Sequence, residues 1–256
     1  KRFGGRRAQS DAVDANNARR AVVELVMNCE DAAIRMFTDE IKYKLVEKRG
    51  CRPDQITELD IESQLDDCDN GFELLQNRLS EVPNGKFEKY KRGARTGLEP
   101  HVILRGPHDN DYGTIDVVDH AIGMDVHTIE DKILSLNGDN KILSRLTFGM
   151  YGRGRASALG NAGASLVLTR PAFGHKGVVV AVLKELPAGE MDPDGGGITQ
   201  GPQWFYFVDP ETDAPPVLEI PDELDAGFTI DNSQADDVEQ KYGRALMEHG
   251  TIVRHT

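Results

Sequence analysis

Residues 24–32 read ELVMNCEDA and lie inside a run from about Asn16 to Lys48. Across that run Val22, Val23, Leu25, Val26, Ala33, Ile34 and Phe37 recur at helical spacing, which predicts one long helix. Asp14, Asn16 or Asn17 is the expected cap, and Gly50 the expected stop. Glu24, Asn28 and Asp31 stand at i, i+4 and i+7, so all three project from one face. The neighbouring positions are Val, Leu, Met and Ala, and a carboxylate, an amide and a second carboxylate stacked among them are expensive to bury unless something polar lies against them. Taken alone, the stripe reads more readily as the solvated side of an amphipathic helix.

Downstream, residues 50–98 change character. They are rich in acidic residues, hold two expected short helices (57–67 and 71–82), carry turn signals at Pro83-Asn84-Gly85 and Gly93, and read as an insertion. Two strand-like runs follow, His101 to Arg105 and Thr114 to Asp119, joined by GPHDNDYG, whose composition suits a hairpin. Helices are expected through DVHTIEDKILSL and RASALGNA, and further strands at SLVLTR, GVVVAVL, WFYFVD, PVLEI and TIVRHT. Two loops interrupt them: MDPDGGGITQGPQ is Gly- and Pro-rich, and DNSQADDVEQKYG is polar and expected to be partly helical. The fold class is therefore α/β (α+β): a two-layer sandwich with a mixed, mostly antiparallel sheet covered by helices. Residues 1–256 are expected to form a single domain carrying the helical insertion at about 50–98.

Three further features bear on chemistry. In DHAIGM, Asp119 ends a strand and Gly123 permits a tight turn; such an Asp can accept a hydrogen bond from an exocyclic amine, or simply cap a turn. In GMYGRGRAS, Gly149, Gly152 and Gly154 stand just before a helix, where backbone N–H groups can approach an anion. In HGTIV, a Gly-Thr pair leads into a strand.

In order and spacing these features, taken with ELVMNCEDA, resemble the motif series of the GHKL (Bergerat-fold) superfamily. Gyrase B, MutL, the MORC ATPases and the heat-shock chaperone of that fold belong to it. The resemblance covers nearly the whole chain. The helix motif E-x-x-x-N-x-x-D-A is matched by Glu24, Asn28, Asp31 and Ala32; D-x-G-x-G-M by Asp119, Gly123 and Met124, with Ala121 replacing the first Gly; and G-x-x-G-x-G by Gly149, Gly152 and Gly154. It implies a Bergerat ATP-binding fold in which Glu24 is the general base on the attacking water and Asn28 binds Mg2+. Asp119 would bind the adenine amino group with help from Thr251, and Asp31 would support the pocket. Gly123 and Met124 would border the base, and the three glycines the phosphates. Lys141 is a candidate phosphate contact on a lid at roughly 134–154, in competition with Arg153 and Arg155. These residue types suit phosphoryl transfer, which is catalysed mainly by positioning and charge neutralisation.

Composition narrows the alternatives. A formal net charge of −13 argues against wholesale coating of nucleic acid, although KRFGGRR at the start and KYKRGAR at 89–95 are local basic patches that read as ordinary solvated segments. Cys29, Cys51 and Cys68 are too scattered for a disulfide framework or a thiolate zinc site. No G-x-x-x-x-G-K-[ST] occurs, the GMYGRG spacing does not fit a dinucleotide fold, and the seven histidines show no H-E-x-x-H or comparable metal spacing. No membrane span or secretory signal is seen, so a cytoplasmic protein is expected. The chain does not begin with Met, and further domains are expected outside it. The expected activity is Mg-dependent ATP hydrolysis, with ATP ordering the lid and promoting a homodimer; a protein partner or DNA would act through other domains. The rivals are a non-hydrolysing ATP-binding switch and a histidine-kinase-type domain, the latter weakened because no histidine precedes the helix motif.

Overall fold

The computed structural model describes residues 15–65, 100–106, 113–130, 163–173, 177–186, 189, 203–221, 242–243, 245–246 and 248–256. Helix α1 runs from Ala15 to Arg49, about 50 Å of continuous helix at 1.5 Å per residue. Its last turn carries Lys48 and Arg49, which suit the negative end of the helix. Gly50 then adopts φ +61°, the left-handed conformation that stops a helix. The expected caps at the other end fall among residues whose side chains lie outside the described set.

The first part of the expected insertion docks on α1. A single 3-10 turn, Pro53–Gln55, is followed by α2, Glu58–Glu62. Thr57 and Asp60 form a reciprocal capping box at the start of α2. Ile56 and Leu65 join Ile34, Ile41 and Leu45 of α1 in one apolar cluster. Helix α2 is shorter than the 57–67 expected, because the Ser63 hydroxyl turns back to the Asp60 carbonyl (2.7 Å) as the helix ends. The expected helix at 71–82, the basic stretches at 1–7 and 89–95, and Cys68 lie outside the described residues.

Among the described residues, seven strands form one sheet: β1 His101–Arg105, β2 Thr114–Asp119, β3 Ala164–Arg170, β4 Val178–Leu186, β5 Gln203–Tyr206, β6 Val217–Leu218 and β7 Gly250–His255. Their order is β1-β2-β7-β3-β4-β5, with β6 also pairing β4. Every pairing among the described residues is antiparallel, in line with the mostly antiparallel sheet expected, and the parallel pairing of a mixed sheet is not among them. Short helix α3, Val126–Ile129, follows β2 and is capped by Asp125, whose carboxylate accepts from Thr128 N–H (2.7 Å).

Alternation along β2 sends successive side chains to opposite faces. Val117 packs with Leu25 and Cys29 of α1, while its neighbour Val118 packs with Ile252 and Ala245 on the other face. Ala245 belongs to helical residues 242, 243, 245 and 246. Helical cover on this second face is an addition to the two layers expected. Its physical cause is the apolar side of the sheet there, where Ile103, Val118, Leu168 and Ile252 have to be shielded from water.

An ion cluster around one buried carboxylate fastens that cover. Asp116 is wholly buried, and Arg254 donates from Nε and Nη2 to its two oxygens at 2.7 Å each. The Tyr242 hydroxyl also donates to Asp116, and the Arg105 guanidinium lies 3.6 Å from the same carboxylate and over the Tyr242 ring. Burial alone would push the Asp116 carboxyl up, but the hydrogen bonds from Arg254 and Tyr242 outweigh it and leave the group below its ordinary range. Removing one partner of such a pair strands the other. Asp116→Ala is expected to lower stability by about 3 kcal/mol in a urea melt and to speed amide exchange in residues 242–246; unchanged exchange there would show that Tyr242 does not anchor the segment.

Candidate functional site

The C-terminal end of β2, the start of β7 and the end of β3 meet in register. Thr251 is the cross-strand partner of both Asp119 and Thr169, which puts all three in one row on the face covered by α1. All three are buried. A row of polar side chains inside an apolar sheet needs internal partners, and it has them. The Thr169 hydroxyl donates to the Gly250 carbonyl (3.0 Å), lies 3.1 Å from the Thr251 hydroxyl, and accepts from Met124 N–H (2.8 Å).

The turn after Asp119 is tightly specified. Asp119 Oδ1 accepts from Ala121 N–H (3.0 Å), and Ala172 N–H donates to the Ile122 carbonyl (2.8 Å). Gly123 has φ +65°, and a Cβ there would stand 1.9 Å from the Arg170 carbonyl oxygen. Both the backbone conformation and the space exclude any other residue. Gly123→Ala is accordingly expected to destabilise the protein by about 3 kcal/mol or more, combining overpacking with left-handed strain; a thermal melt close to wild type would refute this geometry. Ala121, which replaces a glycine of the family pattern, is fully buried without distorting the turn.

Helix α1 closes the site. Cys29 is buried against Val117, and its thiol hydrogen-bonds the Asp119 carboxylate. Burial, then the neighbouring Asp119 charge, pushes the Cys29 thiol well above its ordinary range, so it stays a protonated donor. Asp119 itself is pushed up to about 6 by burial, partly offset by hydrogen bonds from Ala121 N–H, the Cys29 thiol and Thr251 N–H. Asn28 precedes Cys29 directly and is half-buried; Asp31 is buried at 7% exposure. Burial, and then Asp31, raises the carboxyl of the adjacent Glu30. Glu24 is half-buried, four residues and therefore about 6 Å of helix axis before Asn28.

The expected residues Asp119, Gly123, Met124 and Thr251 thus come together, while Asn28 directly precedes the Cys29 that faces Asp119, and Glu24 and Asp31 lie on the same helix. Lys141, Gly149, Gly152, Gly154, Arg153, Arg155 and the lid at 134–154 lie outside the described residues. Sequence reading missed one member of the row, Thr169, and the row's neighbour on α1, Cys29. Thr169 sits in what reads only as an apolar strand, and Cys29 reads only as a reduced thiol. The position of Cys29 next to Asn28 is the one signal that pointed toward it.

Chemically, the site offers a carboxylate with part of its accepting capacity committed. An ionised carboxylate has about four lone-pair sites, and three donors from the protein already face Asp119. The remaining capacity, in a dry setting, suits one N–H donor of a planar ligand. Among the described residues no His, Cys, Asp or Glu group is arranged to hold a metal by itself, and no helix is long and apolar enough to cross a membrane. No protein-family model matches the chain, and no curated protein matches it.

Proposed function

We propose that this chain is an ATP-binding and ATP-hydrolysing domain of the GHKL (Bergerat-fold) type. The observation that carries the reading is the convergence of Asp119, Thr169 and Thr251 in one buried row, with Cys29 of α1 bonded to the same carboxylate. These residues are far apart in sequence, and the buried Asp119 carboxylate at their centre, pushed up to about 6, is the kind of perturbed group that marks a binding site.

Asp119 accepts from the exocyclic amine of adenine, and Thr251 with Thr169 fixes the surrounding hydroxyls. Gly123 lets the backbone turn beneath the base, and Met124 borders it. Glu24 orients the attacking water and takes its proton as the γ-phosphoryl group departs to water. Asn28 would hold Mg2+, which when bound neutralises charge on the phosphate oxygens. A single amide oxygen fits that ion, because magnesium takes few protein ligands and completes its shell with phosphate oxygens and water. Asp31, three residues beyond Asn28 on the same flank of α1, adds negative charge near that amide. Lys141, Arg153 and Arg155 remain the proposed contacts for the terminal phosphate, with Gly149, Gly152 and Gly154 around it. ATP binding orders the lid and favours a homodimer, and hydrolysis reverses both.

The test is titration calorimetry with Mg·ATP and Mg·GTP, combined with phosphate release. Binding of ATP in preference to GTP with measurable turnover supports the reading; no heat and no turnover with either nucleotide overturns it. ATP affinity is also expected to weaken as pH falls below about 6, where Asp119 takes up a proton and loses its acceptor.

A further inference from the structure

Residues 249–251 touch the Asp119 turn one after another. His249 Nδ1 lies 2.7 Å from the Ala121 carbonyl oxygen. A Cβ on Gly250 would stand 2.2 Å from the Asp119 carbonyl oxygen and 3.0 Å from His120 Cα, and Gly250 adopts φ +142°. Thr251 N–H then reaches the Asp119 carboxylate. The glycine lets the chain lie flush on the Asp119 backbone, and this swings the His249 ring over the turn.

We propose that His249 is a positioning residue of the nucleotide site, holding the turn that orients the Asp119 carboxylate toward the base; this rests on the nucleotide-binding reading above. A carbonyl oxygen only accepts, so Nδ1 carries the proton in this contact. Ala121 is consequently held at both its polar atoms, N–H by Asp119 Oδ1 (3.0 Å) and C=O by His249. Releasing the carbonyl frees the residue to rotate, and the N–H that steadies the carboxylate goes with it. The ties at Ile122 and Met124 anchor the far side of the turn, around Gly123, while His249 and the pairing of Asp119 with Thr251 hold its Asp119 side. Both the Nδ1–H neutral imidazole and the imidazolium keep this donor.

The experiment compares wild type, His249→Ala and His249→Asn, because an Asn amide can replace the Nδ1 donor. Asp119 is titrated by carbon-13 NMR of its carboxyl, and affinities are measured for ATP and for inorganic tripolyphosphate. In His249→Ala the Asp119 midpoint is expected to rise above its value of about 6, since a donor that stabilises the anion is lost. ATP affinity is expected to drop about tenfold, the scale of one hydrogen bond, while tripolyphosphate affinity stays at the wild-type value. His249→Asn should restore both properties. An Ala variant with the wild-type midpoint and wild-type ATP affinity overturns the proposal, as does equal loss of ATP and tripolyphosphate binding that Asn does not rescue. If the wild-type protein binds no ATP, the nucleotide reading falls, and with it the role given to His249, whereas wild-type ATP binding left intact in the Ala variant removes the role of His249 alone.

Discussion

Asp119→Asn is expected to lower ATP affinity about a hundredfold, the effect of losing a hydrogen bond to a charged acceptor, and at the same time to make the protein more stable at pH 8. The first effect follows because an amide offers one acceptor oxygen where the carboxylate offers two. The second follows from linkage. The Asp119 carboxyl titrates near 6 in the fold against an ordinary value of 3.8. Below pH 4 the group is protonated in both folded and unfolded chains and exerts no penalty. Between about 4 and 6 the folded chain holds the proton longer, so stability is lost as pH rises, and above 6 the full cost of a buried anion is felt. At 1.36 kcal/mol per pH unit that cost is about 3 kcal/mol at most. Asparagine never ionises and escapes it. Urea melts at pH 4 and pH 8 should therefore show the variant close to wild type at the acid end and clearly more stable at the alkaline end. Equal midpoints at pH 8 would mean that Asp119 is not buried as described, and wild-type ATP affinity in the variant would remove it from the base pocket.

The second large effect is expected at Glu24. Glu24→Ala should reduce ATP turnover about a hundredfold or more, the usual contribution of a positioned base, while ATP affinity changes by no more than about threefold. Glu24 points from the half-buried flank of α1, whereas its neighbours Leu25 and Cys29 make the packing against Val117. The substitution thus removes a proton acceptor without opening the core. Steady-state phosphate release and calorimetry on the same preparations separate the two quantities. If ATP binds but the wild-type protein hydrolyses it no faster than the variant, the domain is a binding switch and the hydrolytic assignment fails.

Much of the architecture was legible in the sequence because it is written in local periodicity. The apolar spacing around ELVMNCEDA marks α1 almost to its ends, and TIDVVD and SLVLTR mark strands that the structure carries at Thr114–Asp119 and Ala164–Arg170. Turn chemistry at Gly123 was equally plain. What stayed hidden depends on register and on crossings between distant segments. Nothing local in SLVLTR says that Thr169 will stand beside Thr251, 82 residues on. Likewise no pattern around His249 foretells a bond to Ala121, 128 residues earlier. That helical residues 242, 243, 245 and 246 cover the sheet was hidden for a similar reason, since their anchor, Asp116, lies inside a run that reads as an ordinary alternating strand.

The sheet order has a consequence for synthesis. Strand β7 is inserted between β2 and β3 and is paired along its length to both. During translation, β2 and β3 emerge well before the strand that separates them, with their inner edges unpaired and exposed to wrong pairing. Thr251 and Arg254 arrive together on that strand, one for the polar row and one for the Asp116 cluster. A ribosome-bound nascent chain stalled short of residue 250 thus lacks the central strand of its sheet and one of the three residues of its polar row, and both are completed in the same folding step once residues 250–255 leave the exit tunnel.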